Sequence, residues 1–111
     1  MKLIIMRHGQ AALSGNDRVL TSKGIRETME VAASINNKYV ITKAYSSPLT
    51  RAQQTAQLVL NQSNSKVIIE TLPELEPSGD PLTVRAVIDA SCLNKDVVLL
   101  LSHIPLVSEL C

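Results

Sequence analysis

Apolar and polar positions along the chain follow two rhythms. Residues 3–6, 67–69 and 97–101 are continuous apolar runs, too short for helices and bounded by polar or turn residues. They read as strands buried on both faces, as in a parallel sheet covered by helices. A further short strand is expected at 43–46. Between these runs the apolar residues fall at helical spacing. Leu20-Thr21-Ser22-Lys23-Gly24 opens a first helix, with Thr21 or Ser22 as N-cap, Ile25, Met29, Ala32 and Ala33 facing inward, and Asn36-Asn37 at its end. Ser47 as N-cap and Pro48 at the first helical position open a second, with Leu49, Ala52, Ala56, Val59 and Leu60 as its apolar stripe through Asn61. Asp80-Pro81 repeats that opening for a third helix, which runs to about Leu93 and packs Val84, Val87, Ile88 and Cys92 inward. Residues 14–18 and 71–79 read as loops, and 106–111 as the start of another helix. Strands alternating with helices predict a three-layer α/β/α sandwich with a mostly parallel sheet, in one domain spanning 1–111.

Composition narrows the function. The chain has 111 residues, no Phe or Trp and two tyrosines, Tyr39 and Tyr45, so its core is aliphatic. That leaves no aromatic platform for single-stranded nucleic acid. Eleven basic side chains against ten acidic ones give a net charge of +1, which is no electrostatic footprint for DNA or RNA. No apolar run approaches a membrane span, and the start of the chain lacks a signal peptide's long apolar region. Cys92 and Cys111 form neither a CxxC motif nor a metal-binding pair, and their apolar flanks predict buried, reduced thiols. The expected setting is the cytoplasm.

The candidate chemistry lies where apolar runs stop. The first strand ends in Arg7-His8-Gly9, and the run 97–101 ends in Ser102-His103-Ile104-Pro105. In open parallel sheets ligands bind beyond the carboxyl ends of the strands. Both histidines are therefore delivered to one crevice, and Gly9 lets the backbone turn close to a ligand. Arg51 falls in the first turn of the second helix, beside exposed N–H groups and the positive end of the helix dipole, which favour an anion. Each group alone is ordinary strand-exit or helix-flank chemistry. Together Arg7, His8, Arg51 and His103 can surround a tetrahedral anion.

Arg7-His8-Gly9, the run from Ser46-Ser47-Pro48 through Arg51-Ala52-Gln53-Gln54-Thr55-Ala56, and Ser102-His103 resemble the histidine phosphatase superfamily, which includes the phosphoglycerate mutases. Leu20-Thr21 with Gly24, Leu72-Pro73-Glu74-Leu75 with Gly79-Asp80, Ser102-His103-Ile104-Pro105-Leu106-Val107 and Ala11-Ala12 resemble its branch of small, SixA-type protein phosphohistidine phosphatases. The resemblance implies a phosphoglycerate mutase-like fold and a phosphohistidine enzyme intermediate on His8. It also implies a phosphate clamp of Arg7, Arg51 and His103, with Gly9 and the backbone at Ile104 contributing. A neutral His8 would have one ring N–H held by a carbonyl near Gly9, and its positive neighbours would lower its pKa. No metal or other cofactor is implied.

The resemblance has two gaps. Family members usually carry a glutamate acid, often under an inserted cap, and the eighteen or so residues before Asp80 leave no room for one. Glu74, Glu76 and Asp80 are the proton-donor candidates. An open site without an evident acid suits a phosphohistidine protein, such as a histidine phosphotransfer domain of two-component signalling. Sugar or nucleotide phosphates, or phosphate binding without catalysis, are the alternatives. The second gap is at the end: family members continue past Ser-His through a helix and two strands. Without those C-terminal strands, residues 3–6 form an exposed apolar edge, so a fragment or a dimer shielding that edge is expected.

Overall fold

The computed structural model describes residues 2–63, 66–75, 80–91 and 95–102. In chain order they form β1 (Lys2–Arg7), β2 (Ala11–Ser14), β3 (Asp17–Leu20), α1 (Ser22–Lys38), β4 (Lys43–Ser46), α2 (Thr50–Gln62), β5 (Ile69–Thr71), a 3-10 turn at Pro73–Leu75, α3 (Pro81–Ser91) and β6 (Val97–Ser102). Four strands make one parallel sheet in the order β1-β6-β4-β5. This is the expected mostly parallel α/β sandwich.

Alternate strand residues serve two cores, because successive side chains in a strand point to opposite faces. Ala44, Leu99 and Leu101, with Ile4 and Met6 against them, pack on Ala32 of α1 and on Ala52, Ala56, Val59 and Leu60 of α2. Tyr45, Val98 and Leu100, with Leu3 and Ile5, pack on Leu75 and on Val84 and Ile88 of α3. Full burial is confined to the two inner strands. β4 and β6 are buried almost throughout, whereas residues 3–6 of β1 are half-buried. Among the described residues β1 is an edge of the sheet.

Several elements depart from the sequence pattern. The stretch 14–18 is not a loop. It is the tip of an antiparallel β2–β3 hairpin, turned at Gly15, which has φ of 64°. The inner face of α1 is Gly24, Thr28 and Ala32, while Ile25 and Met29 remain 40% and 39% exposed. The cause is the backbone of Gln10, which lies so close to α1 that a Cβ on Gly24 would stand 2.1 Å from the Gln10 carbonyl oxygen. Thr21 is the N-cap, its Oγ1 accepting from the Gly24 N–H at 3.0 Å, and the helix continues to Lys38. Helix α2 begins at Thr50 rather than Pro48, with Leu49 as N-cap. Ser47 instead closes a preceding turn, its Oγ accepting from the Leu49 N–H at 3.2 Å.

The third strand is Ile69–Thr71, two residues later than the apolar run, and Ile68 is 83% exposed. Asp80 does cap α3, its carboxylate accepting from the Leu82 N–H and the Thr83 hydroxyl. Cys92, Cys111 and the helix start expected at 106–111 lie outside the described residues. No helix among the described residues is long and apolar enough to cross a membrane.

Candidate active site

Register brings the strand ends level. Arg7 of β1 pairs with Ser102 of β6, and Ser46 of β4 pairs with Leu101. Backbone bonds continue past the strands, from the His8 N–H to the Ser102 carbonyl (3.4 Å) and from the Ser47 N–H to the Leu101 carbonyl (3.1 Å). His8 therefore leaves the sheet at its carboxyl edge, one strand away from the chain that turns into α2.

Two contacts define the imidazole. Its Nδ1 lies 2.7 Å from the Gly9 carbonyl oxygen, which can only accept, so Nδ1 carries the hydrogen. Its Nε2 lies 3.2 Å from Nε of Arg51, which can only donate, so Nε2 presents a lone pair. The result is a neutral ring with one nitrogen tied back and the other facing a guanidinium. Burial is the largest cause holding the His8 pKa below its ordinary 6.5; the Gly9 carbonyl opposes it, and Arg51, Arg7 and Arg18 add to it in that order. The positive neighbours act as the sequence implied, but desolvation leads.

One turn of α2 supports both partners. Thr55 Oγ1 donates to the Arg51 carbonyl at 2.8 Å and accepts from the Gly9 N–H at 3.1 Å, so the arginine and the loop behind the imidazole share an anchor. Gly9 serves a close approach within the protein. A Cβ there would meet Thr28 Oγ1 at 2.6 Å and the Gly24 carbonyl at 2.9 Å, so the residue is glycine because α1 presses on it. Arg7, exposed at the end of β1, lines a cleft of about 200 Å³ with His8, Gly9, Gln10, Glu27 and Thr28. A larger hollow of about 610 Å³ lies at the far end of α1, bounded by Asn36, Tyr39, Ile41 and Gln62, away from this chemistry.

Comparison with known proteins decides the family. Residues 3–76 match the family model of the histidine phosphatase superfamily (branch 1). This chain is a histidine phosphatase superfamily protein. It is 40% identical to the phosphohistidine phosphatase SixA of Escherichia coli (strain K12), covering 100% of this chain and 74% of that protein. A solved structure of the protein histidine phosphatase SixA complexed with tungstate superposes with a TM-score of 0.84 at 36% identity, over 99% of this chain and 74% of that one. A phosphoglycerate mutase from Bacillus anthracis shares the fold, with a TM-score of 0.67 at 19% identity over 94% of this chain and 75% of that one.

Against that superfamily's pattern, the fold brings His8, Arg51, Arg7 and Gly9 together at one sheet edge. His103, Ile104 and Glu76 lie outside the described residues; Glu74 sits in the 3-10 turn, with its side chain also outside them. Asp80 is occupied as a helix cap.

Three supporting residues were not singled out by sequence. Thr55 was visible only as one position within a longer motif, because a threonine on an apolar helix face looks like core. Asp17, on β3, accepts a hydrogen bond from the Thr50 hydroxyl next to Arg51, and its carboxyl is held below its usual range chiefly by that bond. Arg18 was read as part of a loop, and its charge reaches His8 only because the hairpin folds against α2.

Proposed function

We propose that this chain is a phosphohistidine phosphatase acting on a phosphorylated protein, with His8 as nucleophile. The observation that carries the reading is the pair of contacts on His8, Nδ1 to the Gly9 carbonyl and Nε2 to Arg51. A lone pair on a ring of lowered basicity, beside a guanidinium, is what phosphoryl transfer to nitrogen requires. The 40% identity to SixA of Escherichia coli, a phosphohistidine phosphatase, supports the substrate class. So does the related SixA structure solved with tungstate, a tetrahedral oxyanion like phosphate.

In the first step Nε2 of His8 attacks phosphorus and the bond from phosphorus to the substrate's ring nitrogen breaks. A substrate ring protonated on its other nitrogen leaves as neutral imidazole, so no separate acid is required. In the second step water attacks the phosphohistidine of His8, loses a proton and releases inorganic phosphate, returning the lone pair to Nε2. Arg7 and Arg51 hold the non-bridging oxygens, where charge resides in a loose transition state. His103, the residue after Ser102, and the backbone at Ile104 are proposed to complete that clamp. Arg51 then exchanges its contact with Nε2 for one with phosphate.

The test is transfer from a histidine phosphotransfer domain phosphorylated on its histidine. Wild type is expected to release phosphate and to show transient labelling on His8, and His8→Ala to do neither. Faster turnover of sugar phosphates than of the phosphoprotein would move the substrate to the small-molecule phosphatases. Phosphate binding without any labelling would make the chain a binding module.

A further inference from the structure

The β2–β3 hairpin packs against α2 next to Arg51. It is tied to α2 at two places one helical turn apart: the Asp17 carboxylate accepts from the Thr50 hydroxyl, and the Leu20 N–H donates to Gln54 Oε1 at 2.9 Å. It is tied to the nucleophile loop at a third, where the Thr21 N–H donates to the Gln10 carbonyl at 3.0 Å. Arg18 lies between the two α2 anchors, opposite Leu13 across the hairpin. Leu13 is 77% exposed, so an apolar side chain stands beside Arg18.

The guanidinium of Arg18 is exposed and has neither a hydrogen bond nor an ion pair among the described residues. Asp17, its neighbour, directs one oxygen to the Arg18 backbone N–H and the other to Thr50, and makes no ion pair with the guanidinium. The anchored hairpin thus carries a cation whose field reaches His8, with an apolar side chain beside it. Of the three guanidiniums acting on His8, that of Arg18 acts most weakly, as expected for the outermost.

We propose that Arg18, with Leu13 beside it, is a substrate-binding contact for the protein that carries the phosphoryl group, engaging acidic surface next to the modified histidine rather than the transferred phosphoryl itself. This rests on the phosphoprotein reading above and extends it from the phosphoryl group to the protein. Charges at the rim of an interface act mainly on association and on its salt dependence. Above the His8 titration Arg18 therefore raises kcat/KM through KM and leaves the chemical step alone.

The experiment compares wild type, Arg18→Ala, Arg18→Lys and Arg18→Glu on two substrates, a phosphorylated histidine phosphotransfer domain and the phosphoramidate ion. On the phosphoprotein at low salt, Arg18→Ala is expected to lower kcat/KM by about threefold to tenfold through KM, with Arg18→Glu lower still and Arg18→Lys near wild type. The gap should close at about 0.5 M salt, where screening removes exposed charge interactions. On phosphoramidate at pH 8, where His8 is neutral with or without the charge of Arg18, all four should agree within about twofold, which also shows that the variants fold. Arg18→Ala matching wild type on the phosphoprotein would overturn the inference while leaving the phosphatase reading intact. An equal loss on both substrates would overturn it too, placing Arg18 in the phosphoryl clamp. A wild type that turns over neither substrate would remove the phosphatase reading, and this inference with it.

Discussion

Nε of Arg51 donates to Nε2 of His8 across 3.2 Å, so the guanidinium marks the nitrogen proposed to carry phosphate. Lysine at this position keeps the charge and loses the planar fork. Arg51→Lys is expected to lower kcat by about 10²-fold, the scale of losing one aligned donor to a transition-state oxygen. Steady-state phosphate release checks this, and a loss confined to KM would contradict it.

The protonation state of His8 fixes the acid side of the pH profile. Its pKa lies below 6.5, so the ring is mainly neutral at pH 6.5, and as the proposed nucleophile it loses activity as pH falls through that lowered value. Arg7→Ala removes one of the charges opposing protonation and should move the titration upward, readable by NMR of the ring. Stability follows the same sign. The unfolded ring takes up its proton near 6.5 while the folded ring resists, so His8 costs stability as pH drops from 6.5 toward the folded pKa and costs nothing above. An activity profile with its acid limb above 6.5 would contradict this assignment.

Alanine in place of Gly24 sets two effects against each other. Helix propensity favours alanine by up to about 1 kcal/mol. Its Cβ, however, would stand 2.1 Å from the Gln10 carbonyl oxygen, a backbone atom on the loop that follows His8. Separation of α1 from that loop should win, with a loss of about 2 kcal/mol or more and a fall in Tm of roughly 8 °C or more. Thermal unfolding of Gly24→Ala measures it; an unchanged Tm would show that the loop gives way freely.

Thr55→Val keeps the shape of a buried side chain and removes its hydroxyl. The Gly9 N–H then loses its acceptor, at a cost of about 1–3 kcal/mol, and the loop behind the imidazole loosens. As a positioning residue, Thr55 should affect kcat more than KM, and Thr55→Ser should restore both. Equal kinetics in valine and wild type would confine its role to stability.

What sequence revealed and what it hid have separate physical origins. The runs at 3–6 and 97–101 were legible because a doubly covered parallel strand leaves little choice but aliphatic residues. Arg7, His8 and Arg51 were legible because strand exits and helix starts are where such sheets hold ligands. Periodicity failed for α1 because it assumes that large apolar residues face inward. Here the approaching backbone of Gln10 and Gly9 leaves room only for Gly24 and Thr28 on the early turns, and Ile25 and Met29 stay partly exposed. The hairpin was hidden because its polar tip reads as a loop until its cross-strand partners are known, and with it went Asp17 and Arg18. Thr55 was hidden because its two bonds join residues 46 apart and 4 apart in sequence.

The hydroxyl of Thr55 bridges the Arg51 carbonyl and the Gly9 amide, so nucleophile and clamp ride on one carrier. A shift of α2 is thereby passed to the loop behind His8 as well as to Arg51, so the two proposed partners are mechanically coupled.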